Sequence, residues 1–167
     1  MQAIHYRIIA GRGDADIKSL AAISVLDNAW PERLAEDIDY FRNELTSLDP
    51  EKLLLIGAFA GAELVGFCRF VVCPRLNAWW CMGLVVVPEW QRRGIGTELL
   101  KAAIAILARR GVTDVRSDTS AKNLPSQATH VKAGFRLIGT SGEDFEGQRR
   151  EEHCFYRWQS RTAEGAT

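Results

Sequence analysis

Apolar and polar positions change period several times along the chain, and each change marks an element. Loose alternation from Ile4 to Ile9 predicts a first strand. Gly11-Arg12-Gly13 predicts a turn, after which Asp14 or Asp16 can cap a helix reaching about Asp27. Trp30-Pro31-Glu32 breaks that helix, and Pro31 suits the first turn of a second one, Glu32 to about Leu48. Leu34, Ile38, Phe41 and Leu45 share one side of it. Glu36, Asp37, Asp39, Arg42 and Glu44 fall on the other side. That acidic side is either solvated surface or a face turned toward a cationic substrate.

Leu53 to Ala60 reads as a strand, Gly61-Ala62-Glu63 as a hairpin turn and Leu64 to Val72 as its partner. After a connection at Pro74 to Asn77, Ala78 to Val87 predicts a further strand. Its aromatic start includes Trp79 and Trp80. Neighbours on a strand face opposite ways, so either one tryptophan packs inside while the other lines a pocket, or both belong to the core. Gly83 within the strand suggests a bulge or a close backbone approach. Pro88 stops the run Leu84-Val85-Val86-Val87, because it has no N–H for a ladder.

The next segment, Gln91-Arg92-Arg93-Gly94-Ile95-Gly96-Thr97, leads into a helix from Glu98 to Arg110. Two glycines allow backbone to approach a ligand, and the first amides of the helix lack internal partners. With the positive end of the helix dipole, this makes a holder for phosphate. The three-glycine dinucleotide pattern and the G-K-[ST] phosphate loop are both absent.

Beyond that helix, Val112 to Ser117 predicts a short strand and Asp118 to Asn123 a polar loop. Pro125 to Ala133 predicts a short helix ended by Gly134. Phe135 to Ile138 begins a strand, Gly139 to Gly147 reads as a loop or long hairpin turn, and Glu152 to Gln159 is the last strand. Ser160 to Thr167 reads as a flexible tail. The order is strand, two helices, three strands, helix, strand, helix, two strands. That is a mixed α/β (α+β) layout in one domain, residues 1–159.

Composition narrows the classes of function. Lys and Arg total 21 and Asp and Glu total 21, so no general attraction to nucleic acid or membrane is implied. The arginines that matter are local, at Arg92 and Arg93. Cys68, Cys73, Cys81 and Cys154 show no C-x-x-C spacing and lie in apolar runs, which predicts buried free thiols and no metal site. The absence of a signal peptide and of a membrane-length apolar run leads to the expectation of a cytoplasmic protein.

The spacing Val86-x-Pro88 followed by Gln91-Arg92-Arg93-Gly94-x-Gly96 resembles the acetyl-CoA signature of the GNAT superfamily of N-acetyltransferases. Asn123, a short helix and Lys132-Ala133-Gly134-Phe135 resemble a second GNAT feature. The resemblance implies a mostly antiparallel central sheet flanked by helices, with acetyl-CoA as acetyl donor. It implies backbone contacts from Leu84, Val85 and Val86 to pantetheine. Arg92, Arg93, Gly94, Ile95, Gly96 and Thr97 would surround the pyrophosphate. Asn123 would contact the pantetheine arm or a nearby backbone.

Ser117-Asp118-Thr119, Asn123, Ser126-Gln127, His130 and Gly134-Phe135 together look like one branch of the aminoglycoside 6'-N-acetyltransferases. In that branch the matching aspartate is a catalytic base, which makes Asp118 the candidate here. The alternative is a strand-end aspartate that bonds its own loop. His130 stands where many GNAT enzymes carry an acidic tyrosine. It either donates toward the departing thiolate or bonds a backbone carbonyl. His5 and His153 have no such context and are expected at the surface or an edge. Trp79 and Trp80 are the candidate substrate contacts. No acid precedes the Val-x-Pro segment, where the branch often has one.

The expected reaction is direct acetyl transfer, in a ternary complex, to a primary amine of a small, aminoglycoside-like molecule. A nucleophilic relay through Cys81 lacks any supporting pattern. Acetylation of a protein N-terminus or lysine and a non-catalytic acyl-CoA sensor are the alternatives, and a homodimer is compatible with each.

Overall fold

The computed structural model describes residues 3–10, 13–28, 30–47 and 49–160. Strand β1 (Ile4–Ile8) leads to helices α1 (Asp14–Asn28) and α2 (Leu34–Ser47). Three strands follow: β2 (Leu53–Ala60), β3 (Glu63–Cys73) and β4 (Ala78–Val86). Next come α3 (Ile95–Arg109), β5 (Asp114–Ser120), α4 (Leu124–Lys132) and β6 (Arg136–Gly139). A small hairpin of β7 (Gly142–Glu143) and β8 (Arg149–Arg150) precedes β9 (His153–Gln159). The turn expected at Gly11-Arg12 and the tail beyond Ser160 lie outside the described residues.

Seven strands form one sheet in the order β1-β2-β3-β4-β5-β9-β6. Only β4 and β5 run parallel; the other neighbours are antiparallel. Strand alternation sorts the core into two layers. Leu54, Ile56 and Ala58 of β2 pack with Leu99, Leu100, Ala103 and Leu107 of α3. Leu55 and Phe59 pack on the opposite face, with Ile17 and Leu20 of α1 and Phe41 of α2. Among the described residues no helix is long and apolar enough to cross a membrane.

Several boundaries differ from the sequence expectation. Helix α3 starts at Ile95 rather than Glu98. Gly96 is a poor helix former yet sits in the first turn of α3, where a Cβ would meet Thr129 Cγ2 of α4 at 3.4 Å, an ordinary contact distance. Strand β5 runs on to Ser120 and absorbs Asp118 and Thr119, because β9 pairs with it along its whole length. The expected long turn at 139–147 contains one arm of the β7–β8 hairpin.

Glu44 does not join the exposed acidic side of α2. It lies three residues from Phe41, on the same helix face, and is buried against β3. There it accepts from the Arg69 guanidinium and from the Tyr40 hydroxyl. The acids that remain outside meet arginines of their own helix region, Arg33 with Glu36 and Arg42 with Asp39.

Candidate functional site

The site begins where β4 and β5 part. They pair only through Trp79, Trp80 and Cys81 with Val115, Arg116 and Ser117. On its other edge β4 pairs with β3, where Cys81 opposes Phe70 and Gly83 opposes Arg69. Met82 is the extra residue between them, so the bulge expected near Gly83 sits at the parting point. A cavity of about 380 Å³ opens there. Met82, Gly83 and Leu84 line one side and Ser117, Asp118 and Thr119 the other. Asn123, Ser126 and His130 of α4 and its cap, the β7–β8 hairpin and His153 complete it.

On one side of this opening, β4 offers a free edge. The Val87 N–H donates to Val65 O at 3.0 Å, so Val87 faces β3. By alternation Val85 faces β3 as well, while Leu84 and Val86 turn their peptide groups to the open edge. The Val85 peptide groups therefore point toward β3 rather than to the open edge expected for a pantetheine contact. Val86 O accepts from Gln91 Nε2 at 2.9 Å. That bond ties the turn to the strand.

The turn then enters α3 without a side-chain cap. Gly94 has φ 82°, in the left-handed region, and is the cap residue. The first helical bond shown there runs from Glu98 N–H to Gly94 O, which leaves the amides of Ile95, Gly96 and Thr97 ahead of it. The Ile95 side chain is buried in the core, so only its backbone is available. Arg92 also has positive φ, 59°. Arg93 lies over the Trp90 ring, 4.8 Å from its centre. Neither arginine forms an ion pair among the described residues, and both are exposed. Bare amides, a helix N-terminus and two uncommitted guanidinium groups fit a diphosphate.

Asp118 lines the cavity from the β5 side. Trp80 Nε1–H donates to its Oδ1 at 3.0 Å. His153 Nδ1 lies 2.9 Å from its Oδ2. Trp80 is buried beside Cys73 and Phe155, on the same sheet face as Asp118. Trp79 is corrected: it points to the other face and packs in the α3 core, away from the cavity. His153, expected at the surface or an edge, instead lies beside Asp118, from which 35 residues of sequence separate it. The β5–β9 register, with Asp118 opposite Phe155 and Ser120 opposite His153, is the signal that finds it.

The hairpin wall is built on Asp144. Its Oδ1 accepts the backbone N–H groups of Glu146 and Gln148, at 3.0 and 2.8 Å. Its Oδ2 accepts from Arg150 Nε at 2.7 Å. Burial alone would raise this carboxyl's pKa, but Arg150 and the two amides outweigh it and hold it below the ordinary value.

His130 is buried at 2 % exposure. Its Nδ1 is 2.8 Å from Ser126 O, which can only accept, so Nδ1 carries hydrogen. In the neutral ring Nε2 then accepts from the Ser117 hydroxyl at 2.8 Å. The ring stacks on Tyr156, centres 4.9 Å apart. Burial lowers its pKa below 6.5, against smaller opposing effects of the Ser126 carbonyl and Asp118. It is a neutral imidazole with both nitrogens engaged. Asn123 caps α4, its Oδ1 accepting from Ser126 N–H at 3.1 Å. Burial pushes the Cys81 thiol up to about 12, which removes it as a nucleophile.

Known proteins resemble this chain in sequence or in overall fold. The acetyltransferase (GNAT) family matches residues 19–135. The aminoglycoside N(6')-acetyltransferase type 1 of Klebsiella aerogenes is 34% identical over 131 residues, 72% of this chain and 84% of that enzyme. The spermidine N(1)-acetyltransferase of Thermoplasma acidophilum is 29% identical over 100 residues, 60% of this chain; the match spans 61% of that enzyme's length. Two solved structures share the fold. The PaiA N-acetyltransferase of Thermoplasma acidophilum with coenzyme A has a TM-score of 0.73 at 19% identity, over 95% of this chain and 99% of that one. AAC(6')-Ib with ribostamycin and coenzyme A has a TM-score of 0.71 at 20% identity, over 99% and 97%. The chain belongs to the GNAT family of acetyltransferases, which take their acetyl group from acetyl-CoA.

Proposed function

We propose that the chain moves the acetyl group of acetyl-CoA to a primary amine of a small cationic molecule, of the aminoglycoside or polyamine kind. The observation that carries this is the placement of the Asp118 carboxylate in the cavity where β4 leaves β5. Asp144 and Glu146 share that cavity, and Arg150 is committed to Asp144. An acidic cavity favours a cation. The named activities of the Klebsiella and Thermoplasma relatives agree with it.

Acetyl-CoA is a substrate here, consumed in each turnover. The amides of Ile95, Gly96 and Thr97, with Arg92 and Arg93, would hold its diphosphate. The open edge at Leu84 and Val86 would align its arm. Asn123 belongs to the same wall but is already committed through its oxygen to α4. A lysine-like amine has a pKa of about 10.4 and arrives protonated, so it must lose a proton before it attacks. That proton leaves toward the Asp118 end. Trp80 contributes by fixing the carboxylate rather than by touching the amine.

The test is thiol release from acetyl-CoA across spermidine, ribostamycin and a peptide with a free N-terminus. Turnover on the small amines is expected. Asp118→Asn should lower turnover by about 10²–10⁴-fold while leaving CoA affinity near wild type. Tight CoA binding with no thiol released on any amine would favour a sensor; preference for the peptide would favour a protein acetyltransferase.

A further inference from the structure

We propose that the proton acceptor for the attacking amine is Nε2 of His153, and that Asp118 is the residue that positions it. The inference rests on the reading above and names the atom that reading leaves open. Asp118 is committed on both oxygens, Oδ1 to the Trp80 indole and Oδ2 to His153. A carboxylate can only accept, so the nitrogen facing Oδ2 carries hydrogen. In the neutral ring the second nitrogen, Nε2, then holds the free lone pair. It has no hydrogen-bond partner among the described residues, and His153 lines the cavity.

This is the arrangement of an oriented base: one residue fixes a carboxylate, the carboxylate fixes an imidazole that lines the cavity, and the far nitrogen is left free to accept a proton. His130 cannot take the part, since both of its nitrogens are engaged. The charged and titratable groups around His153 come from every neighbouring element. Asp118 lies on β5, and Asp144, Glu146 and Arg150 lie on or beside the hairpin. His130 lies on α4, Cys81 on β4, and the exposed Lys122–Glu152 pair beside β9. Arg150 is spent on Asp144, so the surroundings favour a cation near His153.

The ammonium gives one proton to Nε2, and its freed pair attacks the thioester carbonyl carbon. The C–N bond forms as the carbonyl π pair moves to oxygen. When that pair returns, the C–S bond breaks and sulfur leaves with the bonding electrons. A second nitrogen proton reaches sulfur through solvent, giving amide and free thiol. The imidazolium returns its proton to bulk water.

The experiment follows kcat/KM against pH for whichever panel amine wild type acetylates fastest. His153→Gln should lower kcat/KM by about 10²–10⁴-fold and abolish its rise with pH, with CoA binding by calorimetry unchanged. In His153→Ala, added imidazole should restore part of the rate; in Asp118→Asn it should not. A His153→Gln enzyme that keeps its rate, or loses rate but keeps the rise with pH, overturns the proposal. So does His153→Ala that imidazole leaves inactive. If wild type acetylates no amine, the reading beneath the proposal fails instead. Histidine ¹⁵N shifts then decide the geometry alone: an Nδ1–H tautomer at His153, lost in Asp118→Asn, supports it, and an Nε2–H tautomer overturns it.

Discussion

Trp80 and Asp118 stand on adjoining strands and the same sheet face, joined by an indole N–H donated to Oδ1 at 3.0 Å. Indole nitrogen can only donate, so it serves the carboxylate and nothing else. Trp80→Phe keeps a ring in the buried site and deletes the donor. It should cost about 1–3 kcal/mol in urea unfolding, the loss of a partner to a charged group. Turnover should fall with it while CoA affinity holds. A variant with unchanged turnover would show that Asp118 needs no such brace.

Gly94 makes the second prediction. No atom lies within 4 Å of the Cβ it lacks, so steric crowding is not why glycine stands there. Its φ of 82° is the reason, together with any anion held in front of the helix. Gly94→Ala should weaken CoA binding only through the backbone, by a few-fold. Gly94→Glu adds a negative charge at the same point and should weaken binding more than tenfold. Calorimetry with CoA measures both. Equal affinities for the two variants would argue against a diphosphate at this turn.

The third concerns the ion pair of Glu44 and Arg69, whose side chains are 6% and 14% exposed. Glu44→Ala leaves a guanidinium with little access to water and should cost about 3–5 kcal/mol. Glu44→Leu with Arg69→Met removes both charges and should recover most of that loss. Urea unfolding of the single and double variants tests this. A double variant no more stable than Glu44→Ala would mean that the pair attracts more than its burial costs.

The fourth follows from His130. Its proton is bound less readily in the folded chain than the ordinary value of 6.5, because of burial. The unfolded chain therefore takes up more protons as pH falls. The stability contributed by the neutral ring is complete above about 6.5 and declines below it, levelling off once pH passes the lowered folded value. Urea midpoints between pH 8 and 5 should show this decline in wild type and less of it in His130→Gln. Parallel curves would indicate that the ring gains its proton without strain. The range of measurement is set by the ordinary imidazole value.

Much of this architecture was legible where local chemistry and tertiary packing agree. Leu53 to Ala60 reads as a strand from its apolar run and forms one with the same ends. Gly83 marks the bulge because a strand interior rarely keeps glycine without cause. The turn into α3 was legible because a glycine ahead of an amphipathic run marks a helix start, and Gly94 is the left-handed cap there. The acceptor side was not. Asp118, Thr119 and Ser120 look like a loop in isolation and become strand only because β9 pairs with them. The β7–β8 arms are two residues each, too short for periodicity, and depend on Asp144 gathering distant backbone amides. Glu44 reads as exposed from its charge, but it shares the buried face of Phe41 and pairs there with Arg69 of β3.

The four sulfhydryl groups, all buried, have a practical corollary. Chromogenic disulfide reagents count free coenzyme by its exposed sulfur. This protein offers them almost no competing signal. At pH 8 the Cys81 sulfur, with a value of about 12, is ionised in roughly one molecule per ten thousand. Colour developed in a folded sample therefore reports released coenzyme, and a rising baseline without either substrate reports opening of the chain.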